Sequence, residues 1–364
     1  MKLQIGFDAK RYYHNRTGLG NYSRTLVDSL KRHCPECETV LYDEGALTRT
    51  FSLGRKAEKD GCDIFHGLSN EIPRDLPSCR TKSVVTIHDV AWRTFPSMYS
   101  WVDRQLYEWK YGHSCRIADR VLAISESTKK DIVRFYGVDE SRIRVIYQPV
   151  QECYYTPLDD TFCDKAIKDF FGPNGLPPFI LYVGSLNSRK NLLGAIEALS
   201  MIPKDNRPLL VAVGNGGEYK KACEDFILRH ALENDVRIET GINDNRLLQA
   251  LYTKAMAFIY PSFYEGFGLP VVEAALQKTP VITTTVSSLP EAAGPDACLI
   301  DPHDENAVEH IKMHLENLVS DMDLAKDIGE KMEKYARKMF TPEVLTRQVN
   351  NLYPKIRNYH PIHD

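Results

Sequence analysis

Two glutamates, Glu265 and Glu273, stand either side of a loop with two glycines and a proline: Pro261-Ser262-Phe263-Tyr264-Glu265-Gly266-Phe267-Gly268-Leu269-Pro270-Val271-Val272-Glu273-Ala274. Glycines let a backbone come close to a ligand, and Pro270 suits the first residue of a helix whose unpaired N–H groups point out of the loop. Such a terminus attracts an anion, a diphosphate above all. Carboxylates are poor phosphate ligands but good acceptors for sugar hydroxyls. Glu265 and Glu273 are therefore expected to hold hydroxyls at either end of a diphosphate. The plainer alternative is an N-cap carboxylate and a solvated helix residue.

A second loop, Gly184-Ser185-Leu186-Asn187-Ser188-Arg189-Lys190-Asn191, carries a fork and a point charge that suit diphosphate oxygens. An isolated Arg-Lys pair is usually a solvated surface pair; its place between a strand and a helix argues for the site. Near the start, Arg16-Thr17-Gly18-Leu19-Gly20-Asn21 precedes a helical pattern and can present N–H groups to a phosphate or a sugar. It lacks the third glycine and the acidic residue of a dinucleotide fingerprint. His88 ends a buried strand next to Asp89, which either orients it structurally or leaves it to meet a ligand.

These loops need a frame. Short Val/Ile-rich runs at 3–7, 63–66, 83–87, 120–124 and 144–147 read as strands buried on both faces of a parallel sheet. After a polar stretch rich in Pro and Gly, strand and helix alternate again, with strands at 179–183, 209–213, 236–238, 257–260 and 281–283 and helices beginning near 191, 218, 246 and 270. The expected layout is α/β: a doubly wound domain over 1–155, a linker over 156–177, a second doubly wound domain over 178–340, and terminal helices with 341–364 returning to the first. Two such domains would face each other across a cleft at the carboxyl ends of their strands.

The chain of 364 residues, 43% hydrophobic and 26% charged, excludes disordered and fibrous classes. No apolar run is long enough for a membrane span, and Met1–Asn15 turns polar too soon for a signal peptide, so a cytoplasmic protein is expected. Residues 1–153 hold 24 Lys/Arg against 20 Asp/Glu and the remainder 22 against 29; the basic residues are too dispersed for nucleic acid. Cys34-Pro35-Glu36-Cys37 has no second pair and reads as a surface turn; nine cysteines do not suit a disulfide framework. Trp92, Trp101 and Trp109, all the tryptophans of the chain, lie with several tyrosines, Arg93, Arg104, Lys110 and Arg116 in 92–116. That stretch is either an amphipathic helix packed on its own domain or a face for an anionic membrane.

Taken together, Thr17–Tyr22, Val84–Asp89, Leu122–Ser125, Val183–Asn191, Tyr260–Ala274 and Leu299–Pro302 resemble the family-4 retaining glycosyltransferases, which have the GT-B fold. The resemblance runs in family order along almost the whole chain and leans towards mannosyltransferases. It implies a nucleotide sugar, with GDP-mannose the best guess, bound by the C-terminal domain, and a saccharide or lipid-linked acceptor bound by the N-terminal domain. By likeness, Glu273 takes the ribose hydroxyls and Glu265 those of the donor sugar. Arg189 and Lys190 hold the diphosphate with N–H groups of Gly266, Phe267, Gly268 and Leu269, while His88 meets the donor sugar and Gly18, Leu19 and Gly20 line it. His88, Arg189, Lys190 and Glu265 are thus the expected catalytic group. Ser185 departs from the pattern, since many members carry a basic residue there. No resident cofactor or metal is expected: Asp321-Met322-Asp323 reads as a solvated turn. With no evident nucleophile, the family's front-face reaction follows, the leaving phosphate acting as base. Two other classes stay open on the residues: a nucleotide-sugar epimerase of the same fold and a silent nucleotide-sugar sensor.

Overall fold

Runs such as Ser83-Val84-Val85-Thr86-Ile87, buried at every position, can only be satisfied as inner strands with helices on both faces. The computed structural model of the chain describes residues 2–15, 18–172, 177–242 and 244–358. It divides into two units, Met1–Gln151 with Phe340–Asp364, and Glu152–Met339.

In the first unit β1 (Leu3–Asp8), β2 (Cys37–Tyr42), β3 (Ile64–Gly67), β4 (Lys82–Ile87), β5 (Arg120–Ala123) and β6 (Ile143–Val145) form one parallel sheet in the order β2-β1-β3-β4-β5-β6. The strand order reverses direction at β1 and β3, so the loops after these strands flank the switch point where such sheets bind ligands. Helix Pro342–Arg357 belongs to this unit. It packs on helix Gly18–His33, buries Tyr353 and Ile356, and pairs Arg357 with Asp63 at 3.2 Å.

The second unit repeats the plan with β7 (Phe179–Val183), β8 (Leu209–Val213), β9 (Val236–Glu239), β10 (Ala257–Tyr260), β11 (Val281–Thr284) and β12 (Cys298–Ile300). Their order, β12-β11-β10-β7-β8-β9, puts the switch point between β7 and β10. Among the described residues, no helix is long and apolar enough to cross a membrane.

Several expectations need correction. The expected linker contains helix Asp160–Phe171, which buries Cys163 and Ile167 and packs on helix Asn245–Lys254, so it is part of the second unit. Its Pro173, Asn174 and Gly175 lie outside the described residues, as do Arg16, Thr17 and Asn243. Edge strand β2 was not expected, because Cys37-Glu38-Thr39-Val40 is half-exposed and lacks a continuous apolar run. Cys34-Pro35-Glu36-Cys37 is, as expected, a surface turn, leading into β2 with Pro35 and Glu36 exposed, while Cys34 is buried and Cys37 donates to Asn350 at 2.9 Å. Asp321 caps helix Met322–Met339 by accepting from Leu324 N.

Gly18, Leu19 and Gly20 form the first turn of helix Gly18–His33 rather than a loop before it. A Cβ on Gly20 would stand 1.9 Å from the Asn15 carbonyl oxygen. Gly20→Ala is therefore expected to cost about 2 kcal/mol or more, read as a lower urea midpoint, since backbone cannot move aside as a side-chain tip can. An unchanged midpoint would show that Asn15 shifts freely.

Candidate functional site

The loops after β7 and β10 leave neighbouring strands at the second switch point, and short-range chemistry shapes both. After β7, the side chain of Asn187 accepts from Lys190 N at 3.2 Å, and Asn191, at φ 53°, caps the helix that follows by accepting from Gly194 N. This turn brings Arg189 and Lys190 back towards β10. Gly184 leaves room for the Lys190 side chain, which a Cβ there would meet at 3.4 Å. After β10, Thr283 and Thr284 of β11 donate to the carbonyls of Tyr260 and Ser262. Ser288 donates to those of Glu265 and Phe267, and Glu265 N donates to Ser287. Gly268, at φ 105°, then turns the chain into helix Leu269–Leu276, with Pro270 in its first turn and no side chain capping it.

The two loops meet at the Glu265 carboxylate, which is buried. Its Oε1 lies 3.0 Å from Lys190 Nζ and 3.2 Å from Arg189 Nη1, and accepts from Tyr260 Oη and Ser262 Oγ at 3.0 Å each. Oε2 takes none of these bonds. Arg189 also donates to the Tyr264 carbonyl, and Lys190 to the Tyr260 hydroxyl. Burial pushes the Glu265 carboxyl up, but Lys190 and Arg189 pull it further down, to about 2. Glu265 is thus held ionised.

Both cations of the second loop touch Glu265, which is therefore not the N-cap of the plainer alternative. Tyr260 and Ser262, which complete the cluster, were not singled out, although their place directly before Glu265 in the same loop was the available signal.

Glu273 sits in helix Leu269–Leu276, half-buried and apart from this cluster, accepting from Tyr252 Oη at 3.1 Å. Burial raises its carboxyl to about 7, which the Tyr252 bond only partly offsets. The two glutamates therefore differ in charge state by environment alone. One is a fixed anion and the other titrates near neutrality.

In the first unit His88 follows β4 and is buried. Its backbone N donates to Asn70 Oδ1 at 2.7 Å, and Nε2 lies 2.9 Å from the Leu68 carbonyl oxygen. A carbonyl can only accept, so Nε2 is assigned the proton. Burial lowers its pKa, against the opposing pull of the Leu68 carbonyl, Asp89 and Gln148. Asp89 does not orient the ring by a bond. It accepts instead from Ala91 N at 3.0 Å.

The 92–116 stretch divides. Tyr107 and Tyr111 stack on each other and Trp92 meets both at an angle against the first core, with ring centroids 5.2–5.5 Å apart. Trp101 is 67% exposed and Trp109 43%, alongside exposed Val102, Leu106, Leu47 and Phe51. Around Trp109 a small crevice is lined by Asp8, Arg49, Glu71, Arg74 and Lys110 among others. Arg49 bridges Asp8 and Glu71, and Lys110 lies 3.0 Å from the second oxygen of Glu71.

Comparison with known proteins agrees with this layout. The model of "Glycosyl transferases group 1" matches residues 164–339, and that of "Glycosyltransferase Family 4" matches 35–152. O-antigen chain mannosyltransferase B of Escherichia coli is 30% identical over 295 residues, spanning 80% of this chain and 74% of that one. O-antigen chain mannosyltransferase RfbU of Salmonella typhimurium is 26% identical over 67% of this chain and 63% of its own. Among solved structures, a sucrose-phosphate synthase from Thermosynechococcus elongatus superposes with a TM-score of 0.77 at 21% identity, over 98% of this chain and 99% of its own. By its two α/β units, its loop chemistry and these relatives, the chain belongs to the family-4 glycosyltransferases of GT-B fold and is a glycosyltransferase.

Proposed function

We propose that this glycosyltransferase moves mannose from GDP-mannose, with retention, to a saccharide or lipid-linked saccharide in surface-polysaccharide synthesis. The observation that carries the donor half is the Arg189–Lys190–Glu265 cluster at the switch point of the second sheet. In this reading the two cations, preorganised by Glu265, also serve the diphosphate oxygens. As the glycosidic bond breaks, charge grows on those oxygens, and preorganised Arg189 and Lys190 stabilise it, aided by the N-terminal end of helix Leu269–Leu276. The chemistry a metal supplies elsewhere is in this reading supplied by side chains. Oε2 of Glu265 accepts from a donor-sugar hydroxyl, and Glu273 from the ribose. In this reading Glu265 is committed to Arg189, Lys190 and a sugar hydroxyl rather than to the sugar carbon, so the departing phosphate takes the acceptor proton. The mannosyl assignment is supported by the O-antigen relatives.

The first unit takes the acceptor, with His88 as the donor-sugar contact it contributes and the first turn Gly18-Leu19-Gly20 beside it. Its crevice lies at the switch point of the first sheet, where Arg49 and Lys110 are paired with Asp8 and Glu71 and Arg74 lies over the Trp109 ring, a polar and aromatic surface for a saccharide. Exposed Trp101, Val102 and Leu106 beside it favour a lipid-linked form met at the inner face of the cytoplasmic membrane. Flotation with vesicles containing an anionic lipid is expected to carry the protein, and Trp101→Asp to reduce it about tenfold. Equal flotation of both proteins would remove this face from the reading.

The deciding experiment measures nucleoside diphosphate release from a panel of GDP- and UDP-sugars, with EDTA present and extracted glycolipid as acceptor. Release from GDP-mannose stimulated by acceptor supports the proposal. Release from a UDP-sugar alone, or loss of release in EDTA, overturns the donor or the metal-free mechanism. Release with no sugar transferred favours an epimerase-type reaction.

A further inference from the structure

His66 is a buried histidine that the chemistry above does not use, yet both of its nitrogens are engaged. Nδ1 lies 2.8 Å from the Tyr353 hydroxyl on helix Pro342–Arg357, and Nε2 2.8 Å from Thr86 Oγ1 on β4. Thr86 Oγ1 in turn lies 3.1 Å from the Tyr22 hydroxyl on helix Gly18–His33. The edge of the Tyr22 ring meets the His88 ring, centroids 4.7 Å apart and planes at 89°. Thr86 acts a second time through its backbone: its carbonyl accepts from Asn70 N at 3.0 Å, and Asn70 Oδ1 accepts from His88 N. Each of these contacts lies within the first unit.

Burial drives His66 to about 3, with His88 adding to the effect, so the ring is neutral at any working pH. A neutral imidazole has one N–H and one lone pair, and with both engaged by hydroxyls, which can donate or accept, the ring is fixed in one rotamer whichever tautomer it holds. A sheet interior gains little net stability from such a chain, because apolar residues of the same shape would fill it without desolvating polar groups. The chain ends at His88, the one imidazole that the proposed transfer uses.

We propose that His66, Thr86 and Tyr22 are positioning residues that hold the His88 imidazole in the one rotamer in which its Nε2–H meets the Leu68 carbonyl. Thr86 is the node, bonding His66 and Tyr22 by its side chain and Asn70 by its backbone. The consequence for turnover rests on the reading of His88 as a donor-sugar contact; the consequence for the ring does not.

The test has two arms. In long-range ¹⁵N–¹H spectra of the full chain, His88 is identified by the resonance lost in His88→Ala and is expected to be a single Nε2–H species. Thr86→Val, which removes the hydroxyl and keeps the shape, is expected to broaden or split it, and Thr86→Ser to restore it. An unchanged His88 resonance in Thr86→Val overturns the proposal, and so does failure of Thr86→Ser to restore it. In the second arm, Thr86→Val is expected to lower kcat for GDP release from GDP-mannose about tenfold, the scale of one hydrogen bond, with donor KM unchanged. It is expected to cause no further loss in a His88→Ala background. Additive losses mean a general packing defect and overturn the positioning role. Full turnover by His88→Ala refutes the donor-contact reading instead, and leaves the spectra to decide the positioning claim.

Discussion

Glu265→Ala is expected to be both less stable and close to inactive, and to regain much of its stability when GDP is added. The carboxylate is the shared counterion of two cations that are themselves largely buried. Removing one partner of such a group leaves charge without compensation, at a cost of about 3 kcal/mol. A diphosphate brings the missing negative charge, so GDP should raise Tm more in Glu265→Ala than in the wild type. Turnover is expected to fall about a hundredfold or more, because the same residue orients Arg189 and Lys190 and offers Oε2 to the sugar. Folding holds the Glu265 carboxyl below its ordinary value, so its stabilising contribution is present above that ordinary value and disappears as pH falls through about 2. The stability gap between wild type and variant should accordingly be full at neutral pH and close in strong acid. Wild-type turnover in Glu265→Ala would take the residue out of the site.

Glu273 should behave in the opposite sense. Its carboxyl is raised to about 7, so the folded chain holds a proton there that the unfolded chain has already lost. The stability this gives is complete below the ordinary glutamate value and is lost as pH rises through about 7. Hydroxyl donors prefer the carboxylate, so donor affinity should rise over the same range in which stability falls. Glu273→Gln is thus expected to be the more stable protein at pH 8, to bind the nucleotide sugar about tenfold more weakly, and to lose the rise in affinity with pH. Calorimetric titration with GDP-mannose at pH 6 and pH 8 measures this. An affinity that stays flat with pH in the wild type would sink the ribose assignment.

Much of this was legible in the sequence where one physical signal dominated. Strands buried on both faces announce themselves by continuous apolar runs, and Phe179–Val183, Leu209–Val213 and Ala257–Tyr260 occur as expected. The glycine and proline signals placed the two loops of the second unit correctly. What could not be read was pairing between distant loops. Arg189 and Glu265 are 76 positions apart in the chain, and only the strand order that sets β7 beside β10 makes them neighbours. The opposite charge behaviour of Glu265 and Glu273 was hidden for the same reason, since identical side chains acquire it from Lys190 and Arg189 in one case and from burial beside Tyr252 in the other. Edge strand β2 escaped because one-sided burial leaves a mixed pattern, and His66 because a histidine inside a strand carries no mark of its partners.

Helix Pro342–Arg357 carries a consequence for how the molecule is made. The last partners of the first sheet, Tyr353 for His66 and Arg357 for Asp63, are encoded after the whole second unit. At about 5–20 residues per second, the ribosome delivers them roughly ten to forty seconds after β6 has emerged. During that wait the continuous segment Glu152–Met339 can complete itself, while the earlier one keeps an apolar groove open to chaperones or to other nascent chains. Order of synthesis and order of completion are therefore reversed. Cutting the gene after Gln151 should yield an aggregation-prone fragment, and a circular permutant that translates Phe340–Arg357 before β1 should fold its first unit without delay.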